Sequence, residues 1–232
     1  MKEVIFMSVY CVSDLHGNYA GYEAIKNYIK PEDTVYCLGD CGDRGYAPWQ
    51  TIMAVYNDPQ FIYIKGNHED MLVRAMNEWL PDHIMGVEYE LLHMNGGHKT
   101  FRDWKNGPER NKWVYRLNNL PTRLVYENNK GQSVILTHAG YTPPNIPDEQ
   151  ELMWNREHFE EEWTGMDNEI IVHGHTPTSY LTWPSYSSYT YCNNHKIDID
   201  VLTWRTNKVA LLNLDPLETI YLNVAEEEYG ED

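Results

Sequence analysis

The chain has 232 residues, of which 42% are hydrophobic, and a formal net charge of −17, from 18 lysines and arginines against 35 aspartates and glutamates. This length and composition suit one globular domain with a sizeable core. The acidity argues against holding nucleic acid by phosphate neutralisation and against docking on an anionic membrane surface, so a phosphorylated substrate would need local cations to attract it.

The first apolar run, "VIFMSVYCV" (4–12), is read as a buried strand. Its basic flank is weak (Lys2 beside Glu3), no small-residue cleavage site follows, and it runs directly into "SDLHGN", so a signal peptide is not expected. Residues 19–29 and 47–57 carry helical spacing. They alternate with the short apolar runs "TVYCL" and "FIYI", which predicts parallel strands joined by crossover helices. A mostly helical insertion over about 70–118 follows the third strand, with a break at "NGG" (95–97). From 120 onward β character dominates in "RLVYE", "SVILT", "EIIVHG", "KIDIDVL", "KVALLNL" and "TIYLNV", interrupted by one helix around 148–162. The expected fold class is α/β: two packed mixed β-sheets flanked by helices, forming one domain over 1–224. The acidic tail 225–232 is expected to fray. No run approaches the length of a membrane span. The four cysteines show no secreted framework, so reduced thiols and a cytoplasmic setting are expected.

The apolar runs end in polar turns, and ligands of parallel sheets bind at such strand ends. The first turn offers Asp14 and His16, the second Asp40, Asp43 and Arg44, the third Asn67 and His68, the fourth His138, the fifth His173 and His175. Singly, each reads as a turn aspartate or a satisfied core histidine. Five such turns at five strand ends instead predict a site for two borderline or hard divalent cations, with a carboxylate such as Asp40 bridging them. Cys37 and Cys41 lack a further thiolate pair and are read as packing residues, not zinc ligands.

The blocks "DLHG", "GDCGDRG", "GNHE", "THAG" and "HGHTP" resemble the signatures of calcineurin-like metallophosphoesterases, in particular the phosphoprotein phosphatase branch. With "MWNRE" (153–157) added, the similarity is to the small bacterial and bacteriophage λ-type serine/threonine protein phosphatases. The resemblance implies the four-layer metallophosphoesterase sandwich. It implies two divalent metal ions, manganese first with iron or zinc as alternatives, bound by Asp14, His16, Asp40, Asn67, His138 and His175. It also implies in-line attack by a metal-bridging hydroxide, His68 as general acid oriented by Asp43, and Arg44 and Arg156 gripping the phosphoryl oxygens. Asn67 and His68 would also face the substrate.

Spacing alone would pair Arg156 with Glu160 on a solvated helix, and only the similarity of the "WNRE" block lifts it to a phosphate ligand. His173 is read as a packing neighbour on the same strand face as His175, and Asp198 as a hydrogen-bond acceptor behind the ligands. The aromatic stretch 179–192 is read as packing on the sheet, with a cleft wall as the other reading. The implied substrates are phosphomonoesters (phosphoserine and phosphothreonine, with phosphotyrosine in range) on protein, peptide or small molecule. The alternative is a symmetrical dinucleoside polyphosphate hydrolase or another phosphodiesterase. A non-catalytic metal-binding module would be expected to lack a ligand or the His–Asp pair, and here every position is filled.

Overall fold

The computed structural model describes residues 7–193 and 195–224. The expected strand residues 4–6 and the acidic tail 225–232 lie outside the described residues. The first half runs β1 (Val9–Val12), α1 (Tyr19–Tyr28), β2 (Thr34–Cys37), α2 (Pro48–Asn57), β3 (Phe61–Tyr63), then α3 (Asn67–Asp82), α4 (Val87–Met94), α5 (His98–Asn106) and α6 (Arg110–Asn118). The second half runs β4 (Arg123–Glu127), β5 (Ser133–Thr137), α7 (Glu149–Trp154), β6 (Glu169–His173), α8 (Thr178–Leu181), β7 (Tyr191–Asn193), β8 (Lys196–Asp198), α9 (Thr203–Thr206), β9 (Lys208–Asn213) and β10 (Glu218–Asn223).

One sheet has the order β10-β9-β1-β2-β3 and the other β4-β5-β6-β8-β7, each mixing parallel and antiparallel pairs. Strand alternation shows how they stack. Val9 and Cys11 of β1 join Val134 and Leu136 of β5 and Ile170 and Val172 of β6 in one core between the sheets. Tyr10 and Val12 face the other way, into a second core with Ile25, Ile52 and Met71 from the helices. Ile135 and Ile171 face outward onto Leu152 of α7. Both faces of each central strand are therefore covered, which is why these runs read as continuously apolar. The result is helix, sheet, sheet, helix, as expected.

The insertion carries its own aromatic centre. Phe101 of α5 is 1% exposed and lies against Trp79, Tyr89 and Trp104, at centroid separations of 6.3, 4.9 and 5.2 Å. Phe101→Ala is expected to cost about 3–5 kcal/mol, read as a lower urea midpoint with an unchanged slope. The insertion's cations are largely occupied locally: Lys105 and Arg110 lie over Trp79, and Lys112 pairs with Glu109.

The helix expected over 148–162 is broken. Asp148 caps α7, but the chain leaves the helix at Asn155, whose side-chain oxygen accepts from the backbone N–H groups of Glu157 and His158. An asparagine that satisfies the following amides locally competes with helix continuation. Only a 3₁₀ turn, His158–Glu160, follows.

Candidate active site

All five turns meet at the ends of β1, β2, β3, β5 and β6. The first two are stitched by backbone bonds: Asp14 N–H to Gly39 O (3.2 Å), His16 N–H to Asp40 O (2.9 Å), and Gly17 N–H to Cys41 O (2.7 Å). Gly39 allows the close approach, with φ at +93° and a Cβ that would lie 2.6 Å from Gly66 N. Asp14, His16, Asp40, Asp43, Arg44 and His175 all have φ between 42° and 68°. Left-handed backbone at non-glycine residues carries strain of about 1–3 kcal/mol each, and such strain clusters at functional sites.

The carboxylate of Asp40 is central. Its Oδ1 accepts from His68 N–H (3.0 Å), while Oδ2 lies 3.3 Å from His138 Nε2, 3.7 Å from His16 Nε2 and 3.8 Å from His68 Nε2. On one side, His138 Nε2, His175 Nδ1 and Asn67 Oδ1 lie 2.9–3.2 Å from one another. On the other, His16 Nε2 is 3.7 Å from Asp14 Oδ1. His16, Asp40 and His68 form one triplet of possible ligands, and Asp40, His138 and His175 a second.

These residues fit a pair of divalent cations. Ligand atoms around one cation at about 2.1 Å sit roughly 3.0–3.4 Å apart, which is the spacing on the Asn67 side. The histidine tautomers agree: Nδ1 of His138 and of His16 each meet a backbone carbonyl, Leu38 O (2.7 Å) and Gly42 O (3.0 Å). Carbonyls only accept, so those nitrogens carry the hydrogen and Nε2 presents its lone pair to the cluster. His175 presents Nδ1 to the cluster, and its buried Nε2 has no partner. Burial, then neighbouring His138, holds His175 well below the ordinary imidazole range, and burial with His68 does the same for His16. For His138, burial favours the neutral ring but the carboxylates of Asp40 and Asp14 outweigh it, pushing its pKa up to about 10. The carboxylates thus draw positive charge to Nε2 of His138, as a proton or as a cation that displaces it and takes the lone pair, while His16 and His175 stay neutral.

Two donors of another kind complete it. His68 Nδ1 donates to Asp43 Oδ2 at 2.6 Å. Arg44 Nη1 and Nη2 donate to His16 Nε2 (2.9 Å) and His68 Nε2 (3.0 Å), so Nε2 of His68 faces the cluster. Burial opposes the charged ring of His68, but Asp40 and Asp43 prevail and leave its pKa raised.

Residues 7–203 match the sequence profile of the calcineurin-like phosphoesterases. The chain belongs to that family. No curated protein matches it in sequence. Among solved structures, "a putative diadenosine tetraphosphatase" shares 15% identity over 97% of this chain and 96% of its own, with a TM-score of 0.67. A metallophosphoesterase from Sphaerobacter thermophilus shares 15% identity over 97% and 90% (TM-score 0.57). A protein serine/threonine phosphatase from Saccharomyces cerevisiae shares 14% over 98% and 83% (TM-score 0.55). At these identities what is shared is the fold.

Other parts of this calcineurin-like phosphoesterase differ from their sequence reading. His173 ends β6, and His175 lies beyond the strand with a left-handed backbone, φ 68°. His173 packs edge-on to His158 at 4.6 Å. Arg156 lies in the link after α7, where its Nη1 donates to His175 O (3.0 Å) and Thr176 Oγ1 (3.2 Å). It borders a cleft of about 670 Å³ shared with Arg74, Gln150 and Trp154. In the aromatic stretch, Tyr180 and Trp183 are exposed rather than packed on the sheet, and Tyr189 packs edge-on to Tyr221. Asp198 is buried and accepts from Asp200 N–H.

Glu69 ends the "GNHE" block, and neither its spacing nor the resemblance implies a ligand role for it. Its carboxylate accepts from the backbone of Asp40 (2.8 Å), Cys41 (3.0 Å) and Gly66 (2.9 Å), and from Tyr63 OH (2.6 Å). It thereby ties the second turn to the third. Trp204, outside all the signature blocks, has its ring centroid 5.8 Å from the Arg44 guanidinium.

Proposed function

We propose that the chain is a dinuclear-metal-dependent phosphatase of the phosphoprotein phosphatase type, hydrolysing phosphomonoesters. Asp14, His16 and Asp40 would hold one cation; Asp40, Asn67, His138 and His175 the other. Bound, the cations supply Lewis-acid polarisation of the phosphoryl group and acidify water for attack, and manganese, iron and zinc all suit these ligands. Arg44 and Arg156 bind and orient the phosphoryl oxygens, since a guanidinium matches two oxygens and keeps its charge. In the bound complex Arg44 transfers its hydrogen bonds from His16 and His68 to the substrate, which frees Nε2 of His68 to take up a proton from water, a charge that Asp40 and Asp43 favour, and to give it to the leaving oxygen.

The observation that carries this reading is the His68–Asp43 pair, with Nδ1 committed at 2.6 Å and Nε2 toward the cluster. A general acid matters most where the leaving group is a poor one, as an alkoxide of serine or threonine is. The cleft beside Arg156 and Trp154 supports a second reading, a dinucleoside polyphosphate hydrolase, because an aromatic wall next to an arginine suits a nucleotide arm. Competition in the manganese-loaded protein among a phosphoserine peptide, a dinucleoside tetraphosphate and an aryl phosphodiester tests the choice. The phosphopeptide is expected to have the highest kcat/KM. Preference for the dinucleotide would replace the first reading by the second, and inertness toward all three would end both.

A further inference from the structure

The break at "NGG" is where the helical insertion reaches the reaction centre. Gly96 O accepts from Arg44 N–H at 3.0 Å, and a Cβ on Gly97 would lie 2.9 Å from Asp43 Oδ1. One turn into α5, fully buried Thr100 places its hydroxyl against Asp43. That hydroxyl accepts from Asp43 N–H (3.0 Å) and donates to Asp43 Oδ1, the carboxylate oxygen that does not face His68.

The structure assigns Thr100 to a positioning role: by holding Asp43 Oδ1 it fixes the carboxylate that orients the His68 imidazole. This rests on the proposed role of His68 as proton donor. The carboxylate torsion of an aspartate is broad, so a single bond to His68 leaves the group free to rotate. A second bond on the opposite oxygen removes that freedom. A hydroxyl has one proton and accepts as well as donates. Here it receives the Asp43 amide, so its own proton is directed at Oδ1. The β-branched side chain of threonine is itself restricted about χ1, which carries the rigidity of α5 to the carboxylate. The same hydroxyl also holds Asp43 in its left-handed backbone, with φ at 66°. The insertion thus contributes to the chemistry through a residue 57 positions from Asp43.

The test compares Thr100→Val, Thr100→Ala and Thr100→Ser in the full chain. Loss of the hydrogen-bond partner behind a metal ligand lowers activity by about 10–100-fold, and Thr100 stands behind the Asp43–His68 pair in the same way. Thr100→Val is therefore expected to lower kcat by about 10–100-fold on an alkyl phosphomonoester. The loss should be clearly smaller on an aryl ester, whose leaving group needs little protonation. Thr100→Ser, which keeps the hydroxyl, is expected to recover most of the rate. Independently of turnover, the His68 Nδ1 proton should give a downfield NMR resonance that exchanges faster with water in Thr100→Val and returns in Thr100→Ser. Equal losses on both esters, or an unchanged resonance, overturn the assignment. If Thr100→Val does not fold, the Ala and Ser pair decides by the same readings, and failure of both Val and Ala to fold assigns the hydroxyl to the fold instead. Should the wild-type chain hydrolyse no phosphoester, the proposed function fails, while the resonance still decides whether Thr100 orders the Asp43–His68 pair.

Discussion

Asp40→Asn is expected to lower phosphomonoester turnover by roughly 10³-fold or more, because several kcal/mol of transition-state stabilisation depend on the cations that it would bridge. Asp40 Oδ2 is the atom that faces both histidine groups, at 3.3 Å from His138 Nε2 and 3.7 Å from His16 Nε2. Asparagine keeps the shape, and its amide oxygen still accepts from His68 N–H, so the turn should survive. What is lost is the one buried charge shared by both ligand sets. Elemental analysis should find about one bound ion or none in place of two, since a bridging ligand is lost to both positions. Thermal unfolding offers a second check. Chelation should lower Tm in the wild type, where the metal binds only the native state, and change it little in Asp40→Asn. Wild-type turnover with two ions retained would refute the bridging role.

His68→Asn should produce the second largest effect, and a selective one. General-acid assistance contributes about 10²–10⁴-fold, and its share grows as the leaving group becomes more basic. The variant should lose that factor on an alkyl phosphate while retaining much of its activity on an aryl phosphate. Metal content should be unchanged if His68 only donates a proton. That last measurement is informative because His68 Nε2 lies within ligand range of Asp40, in a triplet with His16. Loss of an ion in His68→Asn would make it a ligand, and equal loss on both esters would remove it as the acid.

The layered fold was legible because the central strands are covered on both faces. Val9–Val12 and Ser133–Thr137 are continuous apolar runs for that reason, and each ends where a polar turn begins. The turns were legible because their ligand types are unusual in such number. The helix over 148–162 is shorter than its spacing implies, because helical spacing does not register that Asn155 satisfies two amides of the next turn. The packing role read for His173 agrees with its edge-on contact with His158, while β6 ends at His173, so a period of two along the strand does not extend to His175.

By itself the sequence determined which chemical groups stand at the strand ends, since burial on both faces forces an apolar run and leaves polar residues to the turns. It also determined the family, through blocks that are contiguous along the chain. Only the tertiary structure decided which atoms of those groups meet: that Asp40 Oδ2 faces two histidine sets, that Nδ1 of His138 is committed to Leu38 O, and that Thr100 completes Asp43. The physical reason is range. Periodicity and turn chemistry act over a few residues, whereas Asp43 and Thr100 are 57 positions apart and Leu38 and His138 are 100 apart, so their contacts exist only once the sheets and the insertion have packed.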